Sequence, residues 1–163
     1  MAEVEDAAAL LVMALRDLHD GKLALEQGLG AVRGNARDAD LRRLIEADRD
    51  RAVAARATLA GLTRSLGDEE QGEPNVWLRA ILDDADNDAR TIAGGPLRDI
   101  ALVGALRKAK QAERVSHETA IALASRLGLT DAARTLTCLR DEEQTADDTL
   151  AQALARLTAQ EQI

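Results

Sequence analysis

The chain has 163 residues, enough for one domain with a hydrophobic core. Hydrophobic residues make up 46% of it, yet it has one Trp and neither Phe nor Tyr, so Leu, Ala, Ile and Val must build that core. The net charge of −8 argues against binding to nucleic acid or to an anionic membrane, and the lack of Tyr excludes a tyrosyl radical.

Three further features predict a cytoplasmic protein. The N-terminus is acidic, unlike a secretory signal peptide, and the apolar run 7–15 is too short to span a bilayer. Cys138 is the only cysteine in the sequence and cannot form an internal disulfide, which fits a reducing compartment. We expect Cys138 to be a buried thiol rather than a nucleophile, because it lies beside Leu139 in a helical stretch.

Apolar periodicity predicts five helices separated by glycines, prolines and polar residues. The helices are predicted at about residues 4–32, 38–66, 76–93, 97–127 and 131–157. Asp38 and Thr130 are predicted N-caps, and Gly128 is a predicted C-terminal cap. The first two and the last two helices have the pattern of antiparallel hairpins joined by the short third helix. We therefore predict an all-α bundle that forms a single domain over residues 1–163.

The first two helices each have a charged residue inside an apolar stripe. The stripe of helix one, from Leu11 to Val32, is apolar except for Lys22. Asp48 has the same position in helix two, and Arg51 follows it one turn later, where the two side chains can pair. A buried lysine needs a carboxylate partner, whereas a lysine at the edge of a stripe extends its ammonium into water. The sequence is compatible with both orientations of Lys22.

Helices four and five repeat this pattern. Lys110, Glu113 and His117 follow one another at steps of three and four residues in the stripe of helix four, which is the spacing of a bundle core. In helix five the charged member is Glu143, with Glu142 as an alternative inward-facing residue. His19 lies off the stripe of helix one, and we expect it to be exposed.

The short third helix has an apolar side and an acidic side. Trp77 lies on the apolar side, and we expect the exposed face of this helix near Trp77 to form an interface. Four aspartates crowd the other side, at positions 83, 84, 86 and 88. They point in different directions around the helix, so we interpret them as solvated rather than as a metal cluster.

Seven ionisable residues share one level near the middle of the long helices, where ferritin-like bundles place a di-metal carboxylate site. They are Lys22, Asp48, Arg51, Lys110, Glu113, His117 and Glu143. Three basic residues accompany three carboxylates, a composition that argues against two metal ions. We interpret the group as a paired, metal-free network. Two alternatives remain open: solvated charges along a wet seam, and a residual site for iron, manganese or zinc at Glu113, His117 and Glu143.

The sequence lacks the motifs of other common chemistries. It has no Gly-rich phosphate loop, no GxSxG motif and no paired cysteines. Ser116 and His117 do not form part of a triad, because adjacent residues of a helix diverge by about 100°. We therefore predict no catalytic residues.

A long stretch of the C-terminal half resembles a known family. The clearest part runs from Arg98 to Leu136 and reads RDIALVGALRKAKQAERVSHETAIALASRLGLTDAARTL, followed by DEEQTADDTL. In this stretch the chain resembles the YciE/YciF-type ferritin-like bacterial proteins, a domain of unknown function. The resemblance implies a ferritin-like four-helix bundle with one additional short helix, often dimeric, with a di-metal site.

The metal ligands that the resemblance implies are largely replaced. The family's glutamate of helix one falls on Lys22, and its histidine and glutamate of helix two fall on Asp48 and Arg51. Its Glu-His pair of helix four falls on Lys110 and Gln111. Glu113, and one of Glu142 and Glu143, stay acidic as in the family.

These replacements decide which function we expect from the resemblance. With them, the resemblance implies a degenerate di-metal site and no cofactor. We therefore expect a homodimeric, non-enzymatic scaffold or interaction protein linked to stress. The alternative is a ferritin-like protein that binds iron, manganese or zinc at a reconfigured site.

Overall fold

The computed structural model describes residues 4–160, and these residues form five α-helices. The helices are α1 (Ala7–Asn35), α2 (Ala39–Ser65), α3 (Val76–Thr91), α4 (Pro96–Arg126) and α5 (Thr130–Gln160). Each end lies within three residues of the bound predicted from the sequence. Within the described range, none of these helices is both long enough and apolar enough to cross a lipid bilayer.

The ends of the helices follow the local sequence closely. Asp38 is the N-cap of α2, and its side chain accepts a hydrogen bond from the backbone N of Leu41 at 2.8 Å. Gly128 has a φ of +71° just after α4, a conformation that glycine adopts without strain. Thr130 is the first residue of α5 rather than its N-cap, so that prediction is wrong by one position.

The long helices pair as two hairpins. Short loops connect α1 to α2 and α4 to α5, and each hairpin has an extensive internal interface. Helix α3 packs against α1 and α4 and so connects the two hairpins. Helices α2 and α5 contact each other much less, which leaves a groove between them.

The buried apolar side chains of the described residues form two clusters. We call the first the α3-side cluster, because α3 packs against it; its members include Leu25, Leu41, Leu78, Leu102 and Leu150. The second, the distal cluster, includes Leu11, Leu15, Leu59, Ala120 and Leu136. Along α1 the two clusters are separated at Lys22, which lies between Leu18 of the distal cluster and Leu25 of the α3-side cluster. The charged level predicted from the sequence therefore lies between two apolar layers.

Helix α3 is attached to α1 at a glycine. A Cβ atom on Gly21 would lie 3.1 Å from Asn75 Nδ2 and 3.3 Å from a Leu78 methyl group, so the lack of a side chain permits this close approach. Trp77 is half-buried, and its Nε1 donates to Asp17 Oδ2 at 3.1 Å. Trp77 thus fixes α3 onto the bundle, and the interface that we predicted around it stays a prediction.

The predictions for Cys138 and His19 are also wrong. Cys138 is exposed rather than buried, because it faces the groove that α2 and α5 leave open. His19 is buried, at 8% exposure, rather than exposed. The loop that follows α2 passes over this part of α1, where Arg16 Nε donates to the carbonyl oxygen of Glu69 at 2.8 Å. Coverage by a distant loop cannot be read from the periodicity of α1.

Candidate functional site

The side chain of Lys110 lies at the centre of the charged level. Its Nζ is 2.8 Å from Asp48 Oδ1, 2.9 Å from Glu113 Oε2 and 2.8 Å from Glu143 Oε2. An ammonium group has three donors, and all three are used here by carboxylates from α2, α4 and α5. The side chain is completely buried, so this pairing replaces the hydration that the ammonium loses.

Lys22 of α1 supplies a second buried ammonium. Its Nζ lies 2.6 Å from Glu113 Oε1, an ion pair that is not aligned as a hydrogen bond, and it donates to Glu143 Oε1. The residue is 1% exposed. Lys22 therefore points inward, which settles the orientation that the sequence left open.

Glu113 and Glu143 connect the two ammonium groups in the same way. Each gives its Oε1 to Lys22 and its Oε2 to Lys110. Two carboxylates that each bridge a pair of cations are the central element of a di-metal carboxylate site. In this chain the bridged cations are the Nζ atoms of two lysines.

Arg51 lies at the edge of this network rather than inside it. Its Nη2 is 3.2 Å from Asp48 Oδ1, but its side chain is 40% exposed because it lies at the open groove between α2 and α5. The prediction that Arg51 is buried with the others is therefore wrong. The buried part has three carboxylates and two ammonium groups, and Arg51 supplies the remaining positive charge from the surface.

Burial and the neighbouring charges shift the pKa values of these groups. Burial lowers the pKa of Lys110 and of Lys22, but the surrounding carboxylates outweigh this and raise both above the ordinary value. Burial raises the pKa of Glu143, and the two ammonium groups overcome that effect and bring it below the ordinary value. The pKa of Glu113 is raised, by burial first and then by the charge of Glu143. Glu113 is thus the carboxylate of the bridging pair that takes a proton first.

His117 lies one turn after Glu113 and is completely buried. Its Nδ1 is 2.8 Å from the carbonyl oxygen of Glu113, which can only accept, so Nδ1 carries the proton. Its Nε2 is then a buried acceptor that has no hydrogen-bond partner among residues 4–160. Burial and the charge of Lys22 lower the pKa of His117 to about 4, so the ring is neutral at pH 7.

The structure distinguishes the two candidate glutamates of α5. Glu143 is buried in the network, whereas Glu142 is exposed at the rim of the groove. Of the seven residues singled out in the sequence, five come together as a buried ion network: Lys22, Asp48, Lys110, Glu113 and Glu143. Arg51 flanks this network, and His117 adjoins it through the backbone of Glu113.

Sequence reasoning missed a second buried carboxylate on α5. Asp147 is 2% exposed; its Oδ1 accepts from Arg107 Nε at 2.7 Å, and its Oδ2 accepts from Gln111 Nε2 at 2.6 Å. The hydrogen bond from Arg107 is the largest influence on the pKa of Asp147 and lowers it. The four-residue spacing from Glu143 was the available signal, since it places Asp147 one turn further along the same side of the helix.

Asp99 is another buried carboxylate that the sequence did not reveal. It is 2% exposed and accepts hydrogen bonds from the backbone N of Arg37 at 2.8 Å and of Asp38 at 2.9 Å. This side chain of α4 therefore holds the start of α2 and joins the two hairpins. A contact between residues so distant in sequence leaves no local pattern.

The donor set does not fit a di-metal centre. Lysine ammonium groups cannot bind a cation, and the two in this network use the carboxylate oxygens that metal ions would require. Within residues 4–160, His, Cys, Asp and Glu side chains form no group of three or more that could hold a metal ion.

The five-helix bundle with a level of paired charges across its four long helices defines the class: the fold is all-α and ferritin-like. The chain belongs to the family described as domain of unknown function DUF892, which matches residues 6–163. This confirms the resemblance found in the sequence. No sequence among the curated proteins matches this chain.

Two solved structures are similar to this chain. YcfI, described as a putative structural protein from Rhodopseudomonas palustris, has a TM-score of 0.88 at 24% identity, over 91% of this chain and 95% of that one. The E. coli stress protein YciF has a TM-score of 0.92 at 18% identity, over 97% of this chain and 100% of that one. At these identities the likeness shows the fold.

Proposed function

We propose that this chain is a non-catalytic, metal-free member of its family with a structural or scaffold role linked to stress. The observation that carries the proposal is the pair of ammonium groups, Lys22 and Lys110, held between Glu113 and Glu143. Ammonium groups keep the charge balance of a carboxylate centre without supplying redox chemistry. The two similar structures, one described as a putative structural protein and the other as a stress protein, support the same role.

The test is the metal content per chain after expression in medium supplemented with iron and manganese. We expect values near zero by elemental analysis, and no oxidation of ferrous iron above the rate in buffer. One or two metal ions per chain, with ferrous oxidation at enzymatic rates, would overturn the proposal.

A matched variant tests why the metal is excluded. In a Lys22→Gln, Lys110→Gln double variant the oxygens of Glu113 and Glu143 lose their ammonium partners. We expect this variant, once circular dichroism shows that it is helical, to take up metal that the parent does not. If both proteins stay free of metal, the lysines are not what excludes it.

A second candidate function is binding of one iron, manganese or zinc ion at Glu113, His117 and Glu143. The observation that favours it is His117, whose Nδ1 bonds to a backbone carbonyl while its Nε2 has no partner in the described part of the chain. Histidine ligands commonly have this arrangement. This candidate requires at least one lysine to leave the carboxylates. It predicts stoichiometric metal binding that Glu113→Ala abolishes, and unchanged binding in that variant would eliminate it.

We also propose that the protein is a cytoplasmic homodimer that binds neither nucleic acid nor membranes. The family resemblance supports the dimer, as do two exposed apolar side chains at the start of α1, Leu10 and Met13, at 37% and 51% exposure. The net charge of −8 argues against binding to nucleic acid and anionic membranes. The single cysteine supports the cytoplasmic location. Light scattering should give twice the chain mass of 17.4 kDa, and Met13→Gln should shift the equilibrium toward the monomer.

A further inference from the structure

The groove between α2 and α5 encloses a cavity of about 470 Å³ beside the ion network. Its apolar lining includes Leu44 and Ile45 of α2, Leu106 of α4 and Leu150 of α5. A cavity of this volume and lining has the dimensions of a small-molecule site, for which volumes of about 300–1,000 Å³ are usual. Asp48 of the ion network reaches this cavity, but the proposed structural role does not use it.

One carboxylate oxygen at this cavity is not satisfied. Asp48 lines the cavity and is 6% exposed; its Oδ1 contacts both Lys110 and Arg51. Its Oδ2 is buried and has no hydrogen-bond partner anywhere in residues 4–160. A buried carboxylate oxygen without a donor is costly, so a cation that lies near the carboxylate of Asp48 gains free energy on binding.

The charges around the cavity favour a cation. Asp48, Asp141 and Glu142 line it. Lys110 and Arg51 already pair with Asp48, and Arg140 pairs with Asp141 at 2.8 Å, so Glu142 is the lining carboxylate that has no ion pair among residues 4–160. The net charge of −8 adds a negative field over the whole molecule. An anionic ligand would be repelled by this lining, and a neutral one would gain only the apolar contacts and one hydrogen bond.

We propose that this cavity binds a small amphipathic cation, a primary ammonium on an alkyl chain. The ammonium pairs with Glu142 at the rim and is attracted by the carboxylate of Asp48, and the alkyl chain packs against Leu44, Ile45 and Leu150. An ammonium group supplies three donors and one positive charge, and the apolar lining supplies the hydrophobic contribution.

The chain contains its own reporter for this site. Cys138 is the only cysteine in the sequence, it is exposed, and it lines the same cavity. Its reaction with 4,4′-dithiodipyridine, which attacks thiols and not amines, is followed by the absorbance of the released thiopyridone. A ligand in the cavity should slow this reaction.

The probe is hexylammonium, compared with methylammonium, hexanol and hexanoate on the intact chain at pH 7. We expect hexylammonium to slow the reaction of Cys138 about fivefold at about four times its dissociation constant, by mass action. The three comparison compounds should have little effect at the same concentration. Equal protection by hexanol would mean a purely apolar site, and stronger protection by hexanoate would mean an anion site; either result, or no protection by any compound, overturns the proposal.

Two variants locate the charge that binds. Glu142→Gln removes an exposed carboxylate at the rim of the cavity. It should weaken the binding of hexylammonium about two- to fivefold, which is the range for an exposed ion pair. Glu46→Gln removes an exposed glutamate of α2 that does not line the cavity, and should leave the protection unchanged. Equal weakening in both variants would show a general field effect and contradict the assigned position.

Discussion

A lysine ammonium in an apolar layer is stable only when carboxylates replace its water. Lys110 meets this condition with three carboxylate oxygens between 2.8 and 2.9 Å from its Nζ, and Lys22 meets it with two carboxylates. Removal of one partner of a buried ion pair leaves an uncompensated charge, which costs more than the intact pair contributes. The single residues of this network are therefore where substitutions are most informative.

Lys110→Met should lower the free energy of unfolding by about 3–5 kcal/mol, because Asp48 then keeps only the partly exposed Arg51, and Glu113 and Glu143 share the single ammonium of Lys22. Lys108→Met is the matched control, since the side chain of Lys108 is 64% exposed two positions earlier in the same helix. The control should change stability by less than about 0.5 kcal/mol. Urea denaturation at pH 7 measures both, and equal effects would mean that Lys110 is solvated.

His117 should make the protein less stable in mild acid. Its pKa is about 4 in the folded protein and 6.5 in the unfolded chain, so below pH 6.5 the unfolded state binds more protons. Between pH 6.5 and 4 this difference should remove about 3 kcal/mol of stability.

The control for His117 is a pair of variants measured over the same pH range. His117→Leu should lose this part of the pH dependence, and His19→Gln, which changes the other histidine, should keep it. Glu113 has a raised pKa, so its protonation favours the folded state in acid and opposes the effect of His117. The quantity to compare is therefore the difference in unfolding free energy between the parent and His117→Leu at each pH. Parallel curves for parent and His117→Leu would contradict the prediction.

At the scale of the helix, α3 depends on the contacts at its first residues. Asn75 is completely buried, and its side chain accepts from the backbone N of Leu78 at 2.8 Å and donates to the carbonyl oxygen of Asp17 at 3.1 Å. Its own backbone N donates to Asp20 Oδ2 at 2.6 Å. One residue therefore caps α3 and attaches it to α1.

Asn75→Ala should cost about 1–3 kcal/mol, because it removes an N-cap and leaves buried backbone groups without partners. The control is Asn87→Ala, an exposed position in the same helix, which should be neutral or slightly stabilising. Hydrogen exchange should show faster opening of residues 76–91 in Asn75→Ala only. A loss of protection spread evenly over all five helices would argue against a local effect.

Helix positions and most of the network were predictable, because both arise from local periodicity. A charged residue inside an apolar stripe, such as Lys22 or Glu143, is visible in the sequence and must be paired once the stripe is buried. The exposure of Arg51 and Cys138 depends on the gap between α2 and α5, and the burial of His19 depends on a loop about fifty residues away. Such long-range features leave no periodic signal.

At the scale of the whole molecule, the two buried ammonium groups determine how stability changes in alkali. Lys22 and Lys110 have pKa values raised above 10.5, so above pH 10.5 the unfolded chain loses these protons while the folded protein keeps them. Stability that is present below pH 10.5 should then fall by about 3 kcal/mol per pH unit.

Few other groups obscure this alkaline transition. The sequence has no tyrosine, and Lys108, the third lysine, is exposed. Denaturation curves between pH 9 and 11.5 should show the full slope in the parent and in Lys108→Met, and about half of it in Lys110→Met. A slope that is the same in all three proteins would exclude the buried lysines as its source.

The network also fixes the alignment in which the two hairpins can dock. Lys22 and Asp48 belong to the hairpin of α1 and α2, and their buried partners all lie in the hairpin of α4 and α5, up to 121 residues away. The hairpin of α4 and α5 can pair Lys110 with Glu113 and Glu143 by itself, but Lys22 and Asp48 gain their buried partners only when the two hairpins dock. A core of Leu and Ala would tolerate a slip of one helical turn, about 5.4 Å, with little loss of contact. The ions do not tolerate it, because the slip would leave ammonium groups and carboxylates buried without partners, so that only one alignment of the hairpins folds to completion.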